Sequence, residues 1–200
     1  MSYIGILNGT YFDFDDMDKN VIDISTVGIV LSRTPRFTGH TEPMYSVAQH
    51  SLLVESLIAE SCPELRLAAL MHDAHECVIG DLSTPLKTYL KQSQAFVEME
   101  NRVKQFFALD FGFSAHLAHG PIVKEADLLA LWIERQAFMP LFAADEWKED
   151  PTDEVKNSPF VQKKLKELAA FVPHYAAKKF VNRFETLIQD CYYKRLRECV

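Results

Sequence analysis

The sequence is poor in the features that mark fibrous, disordered, secreted or membrane-spanning chains. Seven Gly and nine Pro in 200 residues are too few for a collagen-like or disordered polypeptide. The four cysteines, Cys62, Cys77, Cys191 and Cys199, form no C-x-x-C pair and no dense framework, so reduced thiols in a cytosolic protein are expected. No window reaches the ~18–20 uninterrupted apolar residues of a membrane span. The opening Met1-Ser2-Tyr3-Ile4-Gly5-Ile6-Leu7 has no basic n-region and no long apolar run, which argues against a signal peptide. Positive charge is scarce as well: 21 Lys and Arg stand against 28 Asp and Glu, a net charge of −7 at pH 7. That balance argues against long nucleic acid or an anionic membrane as partner, and leaves room for a local basic pocket. The Gly-rich phosphate loops G-x-x-x-x-G-K-[ST] and G-x-G-x-x-G are absent, and so is the nucleophile elbow G-x-S-x-G. His75-Glu76 lacks the second His of H-E-x-x-H, and no P-C-x-x-C follows it, which removes zinc proteases and zinc nucleobase deaminases.

What is present is a helix-forming chain with 48% hydrophobic and 24% charged residues, the composition of a globular protein. Its length suits one domain, here expected as an N-terminal extension (1–44), a core (45–140) and C-terminal helices (141–200). Ser46 with Gln49, and Ser61 with Glu64, fit the capping box that starts helices. Val47, Leu53, Val54, Leu57 and Ile58 then recur at helical spacing, and Leu65, Ala68, Ala69 and Leu70 continue in a second helix to about Gly80. Phe96 to Phe107 marks a third, closed by Gly112. Pro121 starts a fourth, which Pro140 ends, and Ser158-Pro159 and Pro173 start two more, the last reaching about Tyr193. Asp145 to Glu154 is charged and turn-prone and is expected as a surface loop. In the first 44 residues, Tyr11-Phe12 and Val21-Ile22-Asp23-Ile24 suit short strands and Ser25 to Leu31 suits a helix. The expected fold is mainly α, with a short irregular or β-containing N-terminal segment.

Chemistry concentrates in Met71-His72-Asp73-Ala74-His75-Glu76. On a continuous helix, Glu76 falls one turn after His72 and Asp73, so the three project toward one region. Charged groups inside a segment as apolar as Leu67 to Met71 are costly unless paired or bound to metal. His50 sits alone among Val47, Leu53 and Val54, and Asp127 alone among Ala126, Leu128 and Leu129. Singly, each is most simply a core histidine or the partner of a nearby cation, Lys124 or Arg135 for Asp127. Jointly, two imidazoles and two carboxylates from three helices would make a site for Zn, Mn, Co, Fe or Ni. His40, His75, His116, His119 and His174 keep the simple reading, with His75 close enough to act behind the ligands.

This pattern resembles the HD-domain phosphohydrolase superfamily: one His, then an adjacent His-Asp, then a distant Asp. The flanking Tyr45-Ser-Val-Ala-Gln-His50-Ser, His72-Asp-Ala-His-Glu76, Gly80-Asp-Leu-Ser-Thr-Pro-Leu-Lys87 and Val123-Lys-Glu-Ala-Asp127 look like its deoxynucleotide-hydrolysing branch. That branch holds bacterial 5′-deoxynucleotidases and the dATP triphosphohydrolases of phages with 2-aminoadenine genomes. The likeness covers residues 33–140, and the segment Arg36-Phe37-Thr38-Gly39-His40-Thr41 resembles small phage and bacterial members.

The resemblance implies an HD-type helical bundle holding a divalent transition metal on His50, His72, Asp73 and Asp127, with Glu76 as the catalytic acid or base. It also implies substrate contacts from Arg36, Phe37, Asp81, Pro85, Lys87 and Lys124. Arg36, Lys87 and Lys124 are cations suited to phosphate oxygens. Asp81 would accept a bond from a sugar hydroxyl, or else cap the Leu82–Leu90 segment. Phe37 could stack on a base, with Thr38, Gly39 and Pro85 shaping that end. The implied reaction is attack at the α-phosphorus of a deoxynucleotide. With dATP, and Mg on its phosphates, it gives deoxyadenosine and triphosphate; the alternative is hydrolysis of a dNMP to deoxynucleoside and phosphate. A different class, an HD-fold nucleotide sensor without turnover, would be marked by loss of a ligand or of Glu76, and every such position is occupied here. The family further implies a homo-oligomer, dimer or hexamer, in the cytoplasm (the host's for phage members), and Phe180, Phe184, Tyr192 and Tyr193 are either its interface or a second core layer.

Overall fold

The computed structural model describes residues 2–139 and 150–198, and it is mainly α. Pro140, residues 145–149 of the charged stretch and Cys199 lie outside the described residues. The chain opens with an antiparallel hairpin, β1 (Tyr3–Gly5) and β2 (Tyr11–Asp13), in the register Ile4 opposite Phe12. Phe12 is fully buried and anchors the hairpin on the helices. Val21 to Asp23 is not a strand. Asp23 instead caps helix α1 (Ile24–Arg33), its carboxylate accepting from the Thr26 amide and hydroxyl at 2.8 Å each. A side chain that satisfies an orphan amide at a helix start outweighs the β preference of the flanking isoleucines.

Helix α2 (Val47–Ser56) starts at Ser46 as expected. Helix α3 (Pro63–Met71) starts instead from Cys62, with Pro63 in its first turn and no side-chain cap, so the Ser61–Glu64 box does not form. The expected run to Gly80 is broken. After Met71 the backbone tightens into turns whose amides reach back three residues, Ala74 to Met71 and Glu76 to Asp73, both 3.0 Å. Helix α4 (Glu76–Ile79) follows and ends at Gly80, whose φ of +80° suits glycine.

Helix α5 (Thr84–Leu90) has Ser83 rather than Asp81 at its N-cap position, with no side-chain capping bond, and α6 (Gln94–Asp110) stops before Gly112. A short α7 (Ala115–Ala118) precedes α8 (Pro121–Phe138). The expected surface loop is helical in its last residues, where Thr152 caps α9 (Asp153–Lys156). Helix α10 (Pro159–Glu167) starts at Ser158, and α11 (Pro173–Glu198) runs past Tyr193.

Two apolar clusters hold the helices. One gathers Val27, Leu31, Val47, Leu70, Phe107, Phe180 and Leu187. The other gathers Leu53, Val54, Ala69, Ala130, Ile133 and Val161. Helix α2 feeds both and packs on α3 and α8. Helix α11 lies along α1 and α3; a Cβ on Gly28 would come within 2.9 Å of Val181, so only glycine allows that approach. Polar ties reinforce the seam: Glu55, 3% exposed, accepts from Arg183 at 2.7 Å and pairs with Arg66. The C-terminal helices thus brace the back of α1, α2 and α3. Phe180 belongs to the core and Phe184 packs on it, whereas Tyr192 and Tyr193 are exposed. Cys62, Cys77 and Cys191 are free thiols. Among the described residues, no helix is long and apolar enough to cross a membrane.

Candidate metal centre

The site forms where α2, the end of α3 and α8 meet. His50, on the inner face of α2, is fully buried. His72 closes α3, and the tight turns after it bring Asp73 and Glu76 into line three residues apart, as residues three apart are in any i to i+3 turn. Asp127 projects from α8. His50 Nε2 lies 3.1 Å from Asp127 Oδ1 and 3.7 Å from Asp73 Oδ2, and His72 Nε2 lies 3.1 Å from Asp73 Oδ2. The four expected ligands therefore converge. Helix continuity was the wrong reason to group Glu76 with His72 and Asp73; the broken helix achieves it.

The hydrogen bonds around the imidazoles decide what they offer. His72 Nδ1 is 2.8 Å from the Ala69 carbonyl, which can only accept, so Nδ1 carries the proton. His50 Nδ1 is 2.7 Å from Glu134 Oε1, and Glu134 is fully buried. Both rings thus present Nε2 inward, and both Nε2 atoms are buried without a hydrogen-bond partner among the described residues. An orphaned pair of imidazole nitrogens facing two carboxylates is what a divalent transition metal satisfies, and the outer carboxylate or carbonyl on each ring is its customary support. The residues fit the metal. Asp127, whose side chain is 39% exposed, marks the open side of the site.

Glu134 was missed in the sequence. It stands seven residues after Asp127 on the inward stripe of α8, among Ala130, Trp132 and Ile133, and a charge on that stripe was the signal. Arg36 compensates it, with Nη2 3.3 Å from Glu134 and Nη1 3.7 Å from Asp81. Arg36 is placed by a pinched loop, its amide donating to Tyr45 at 2.9 Å while Val47 donates to Thr34 at 3.0 Å.

The electrostatics follow from crowded, dry charges. Burial and Arg36 pull the His50 pKa down, but the Glu134 and Asp127 carboxylates outweigh them and leave it raised to about 10. His72 is also raised, Asp73 and Asp127 overcoming burial. Glu76 is 2% exposed, and burial followed by the Asp73 and Asp81 charges pushes its carboxyl well above the usual range. Lys87 Nζ donates to Glu76 Oε1 at 3.1 Å, while Oε2 has no partner among the described residues. A buried, proton-holding carboxyl beside the candidate ligands is equipped for acid–base work.

The remaining expected residues divide. Asp81 and Lys87 join the cluster through Arg36 and Glu76. Phe37 is half-buried, with φ +53°, and its ring lies 5.4 Å from the Arg36 guanidinium carbon, so one face is already occupied. Thr38 and Gly39 are exposed, also at positive φ. Pro85 is exposed in the first turn of α5. Lys124 is exposed on α8 one turn before Asp127, with no ion pair among the described residues. Arg135, a conceivable partner of Asp127, instead pairs with Asp150 at 2.8 Å. His75 is buried beside Glu100, with Nε2 3.8 Å from its Oε1.

Comparison with known proteins finds relatives at family level. No family model matches the chain. The uncharacterized protein YfdR of Escherichia coli (strain K12) is 35% identical over 136 residues, 68% of this chain and 72% of that protein. The uncharacterized protein RCAP_rcc00048 of Rhodobacter capsulatus is 37% identical over 140 residues, 66% of this chain and 70% of that protein. The chain belongs to the protein family that these two share.

Proposed function

We propose that the protein is a metal-dependent deoxynucleotide phosphohydrolase of the HD-domain type. The gathering of His50 Nε2, His72 Nε2 and an Asp127 oxygen within 4.8 Å, with Asp73 3.1 Å from His72 and neither nitrogen hydrogen-bonded among the described residues, carries the reading. His50, His72, Asp73 and Asp127 would hold a divalent Zn, Mn or Co ion, which would supply Lewis acidity toward a phosphoryl oxygen and lower the pKa of a water. The chain's own groups do the rest. Glu134 and the Ala69 carbonyl hold the imidazole protons on Nδ1. Glu76 holds a proton that it can deliver to the departing sugar oxygen, and Lys87 steadies the carboxylate left behind.

Two substrate forms fit this core: a triphosphate, dATP with Mg on its phosphates, releasing triphosphate, and a monophosphate, releasing phosphate. Ion pairing favours the monophosphate. Arg36 is committed to Glu134 and Asp81 and Lys87 to Glu76, which leaves Lys124 as the unpaired cation of the three expected to grip a triphosphate. Incubating the protein with dNTPs and dNMPs under Zn, Mn, Co or Mg in turn, with product analysis, separates the cases. Phosphate from dNMPs is the expected result; triphosphate from dATP would restore the triphosphohydrolase. Folded protein that hydrolyses neither with any metal would return the site to a nucleotide sensor. A cytoplasmic dimer or hexamer belongs to the same proposal, supported by exposed Tyr192, Tyr193 and Leu196 and checked by light scattering.

A further inference from the structure

The N-terminal hairpin has one strand edge without a partner. Phe14 donates to the Ser2 carbonyl at 2.8 Å and Ile6 to the Thr10 carbonyl at 2.9 Å, so β1 bonds to β2 through its even-numbered residues. Tyr3 and Gly5 stand in the alternate pairs, opposite Asp13 and Tyr11, and turn their amides and carbonyls outward. No hydrogen bond reaches those groups among the described residues. The outer edge of β2 is treated differently. Buried Asn20 closes it at Asp13, accepting from the Asp13 amide at 2.7 Å and donating to the Asp13 carbonyl at 3.0 Å. One edge of the ribbon is plugged by a side chain and the other is open.

The open edge also lacks the usual protection. Edge strands ordinarily carry a charge, a proline or a bulge that blocks pairing with another chain. Residues 1–12 contain no Asp, Glu, Lys, Arg or Pro, although the chain as a whole has a net charge of −7. Two copies can therefore meet here without a like-charge contact. Tyr3, Ile4, Leu7 and Tyr11 are exposed, at 43%, 37%, 51% and 65%. Over two copies, such fractions of large side chains and the strand backbone come to on the order of 1,000 Å², the lower bound of a specific interface. A two-stranded ribbon is the smallest sheet, and further strands stabilise it.

We infer that β1 is a self-association edge: it pairs antiparallel with β1 of a second copy, Ile4 facing Ile4 across a two-fold axis. That register sets Tyr3 of each copy opposite Gly5 of the other, so that both residues of both copies donate and accept. It also gives each Tyr3 ring a glycine to lie across, and a Cβ built on Gly5 meets nothing within 4 Å, so the space is free. The strand order becomes β2–β1–β1–β2. Asn20 then holds both outer edges at Asp13 against further addition, and the contact closes as a dimer. Neither strand contributes a residue to the candidate metal centre, so the inference stands apart from the proposed reaction.

Sedimentation velocity of the full chain across a micromolar concentration series should show monomer passing to dimer. Gly5→Pro removes an outward amide and leaves the bonds to β2 in place, so it should stay monomeric with native circular dichroism. Tyr3→Lys sets a charge on the pairing edge and should do the same, which guards against loss of the hairpin in the proline variant. Ile4→Cys, oxidised at dimer-forming concentration, should give a disulfide from position 4 to position 4 in peptide mass spectrometry. Such alternate antiparallel pairs hold their Cα atoms ~4.5 Å apart, within disulfide reach. A wild type that stays monomeric throughout overturns the inference. A dimer that persists in both Gly5→Pro and Tyr3→Lys also overturns it and moves the contact elsewhere, first to the Tyr192–Tyr193 end of α11. A dimer in which position 4 forms no such link overturns the antiparallel register.

Discussion

Glu134 shows how much one buried side chain can decide. It holds the Nδ1 proton of His50 at 2.7 Å and is neutralised by Arg36 at 3.3 Å. Replacing it with Gln keeps a group able to accept from Nδ1 but removes the charge, and Ala removes both. Outer carboxylates of this kind contribute ~10–100-fold to metal affinity. Glu134→Gln is therefore expected to weaken metal binding by about 10-fold, and Glu134→Ala by about 100-fold with a lower melting temperature, because it also takes from Arg36 the nearer of its two carboxylates. Competition with a chelating dye measures both. In the proposed reaction Glu76 acts differently, on the proton. Glu76→Gln should cost about 10²–10⁴ in kcat with the metal still bound; metal analysis beside steady-state kinetics checks it, and unchanged kcat would remove Glu76 from the reaction.

At the scale of elements, what could be read from the sequence depended on whether a signal was local. Ser46, Ser158, Pro121 and Pro173 mark their helix starts through their own chemistry, and the structure places those helices as expected. The break after Met71 carries no Gly or Pro, so no local signal marks it in the sequence. Val21 to Ile24 is not a strand because the Asp23 cap overrides the local β preference. The four candidate ligands were legible because isolated polar residues on apolar helices are conspicuous. Glu134 was overlooked because, beside Arg135, it reads as ordinary surface charge, and its partner Arg36 is 98 residues away. Packing gives the test at this scale. Gly28→Val places branched carbons where one Cβ already meets Val181 at 2.9 Å, so urea unfolding should show a loss of about 1–3 kcal/mol. A loss near zero would mean that α1 and α11 can part freely.

For the whole molecule, the buried cluster ties stability to both pH and metal. In an unfolded chain His50 titrates near its ordinary 6.5; in the metal-free fold the value is raised to about 10. Below pH 6.5 both states hold the proton, and the stabilisation from Glu134 and Asp127 is complete. Above it the unfolded chain sheds the proton first, so that stabilisation is lost as pH rises toward 10. His72 and Glu76, also raised, act with the same sign. Asp73, Asp127 and Glu134, all lowered, act oppositely: burial works against them but the histidine charges prevail, and their contribution is lost as pH falls below the usual carboxylate range. Stripped protein should therefore melt highest in mildly acid solution and lower at each step from pH 6.5 to 9. A metal needs Nε2 unprotonated, so its affinity climbs over the same interval and with it the stabilisation from binding. The melting temperatures of metal-loaded and stripped protein should consequently draw apart from pH 6 to 9 in scanning calorimetry at fixed free metal. A gap that stays constant would mean that the metal does not compete with the protons of His50 and His72.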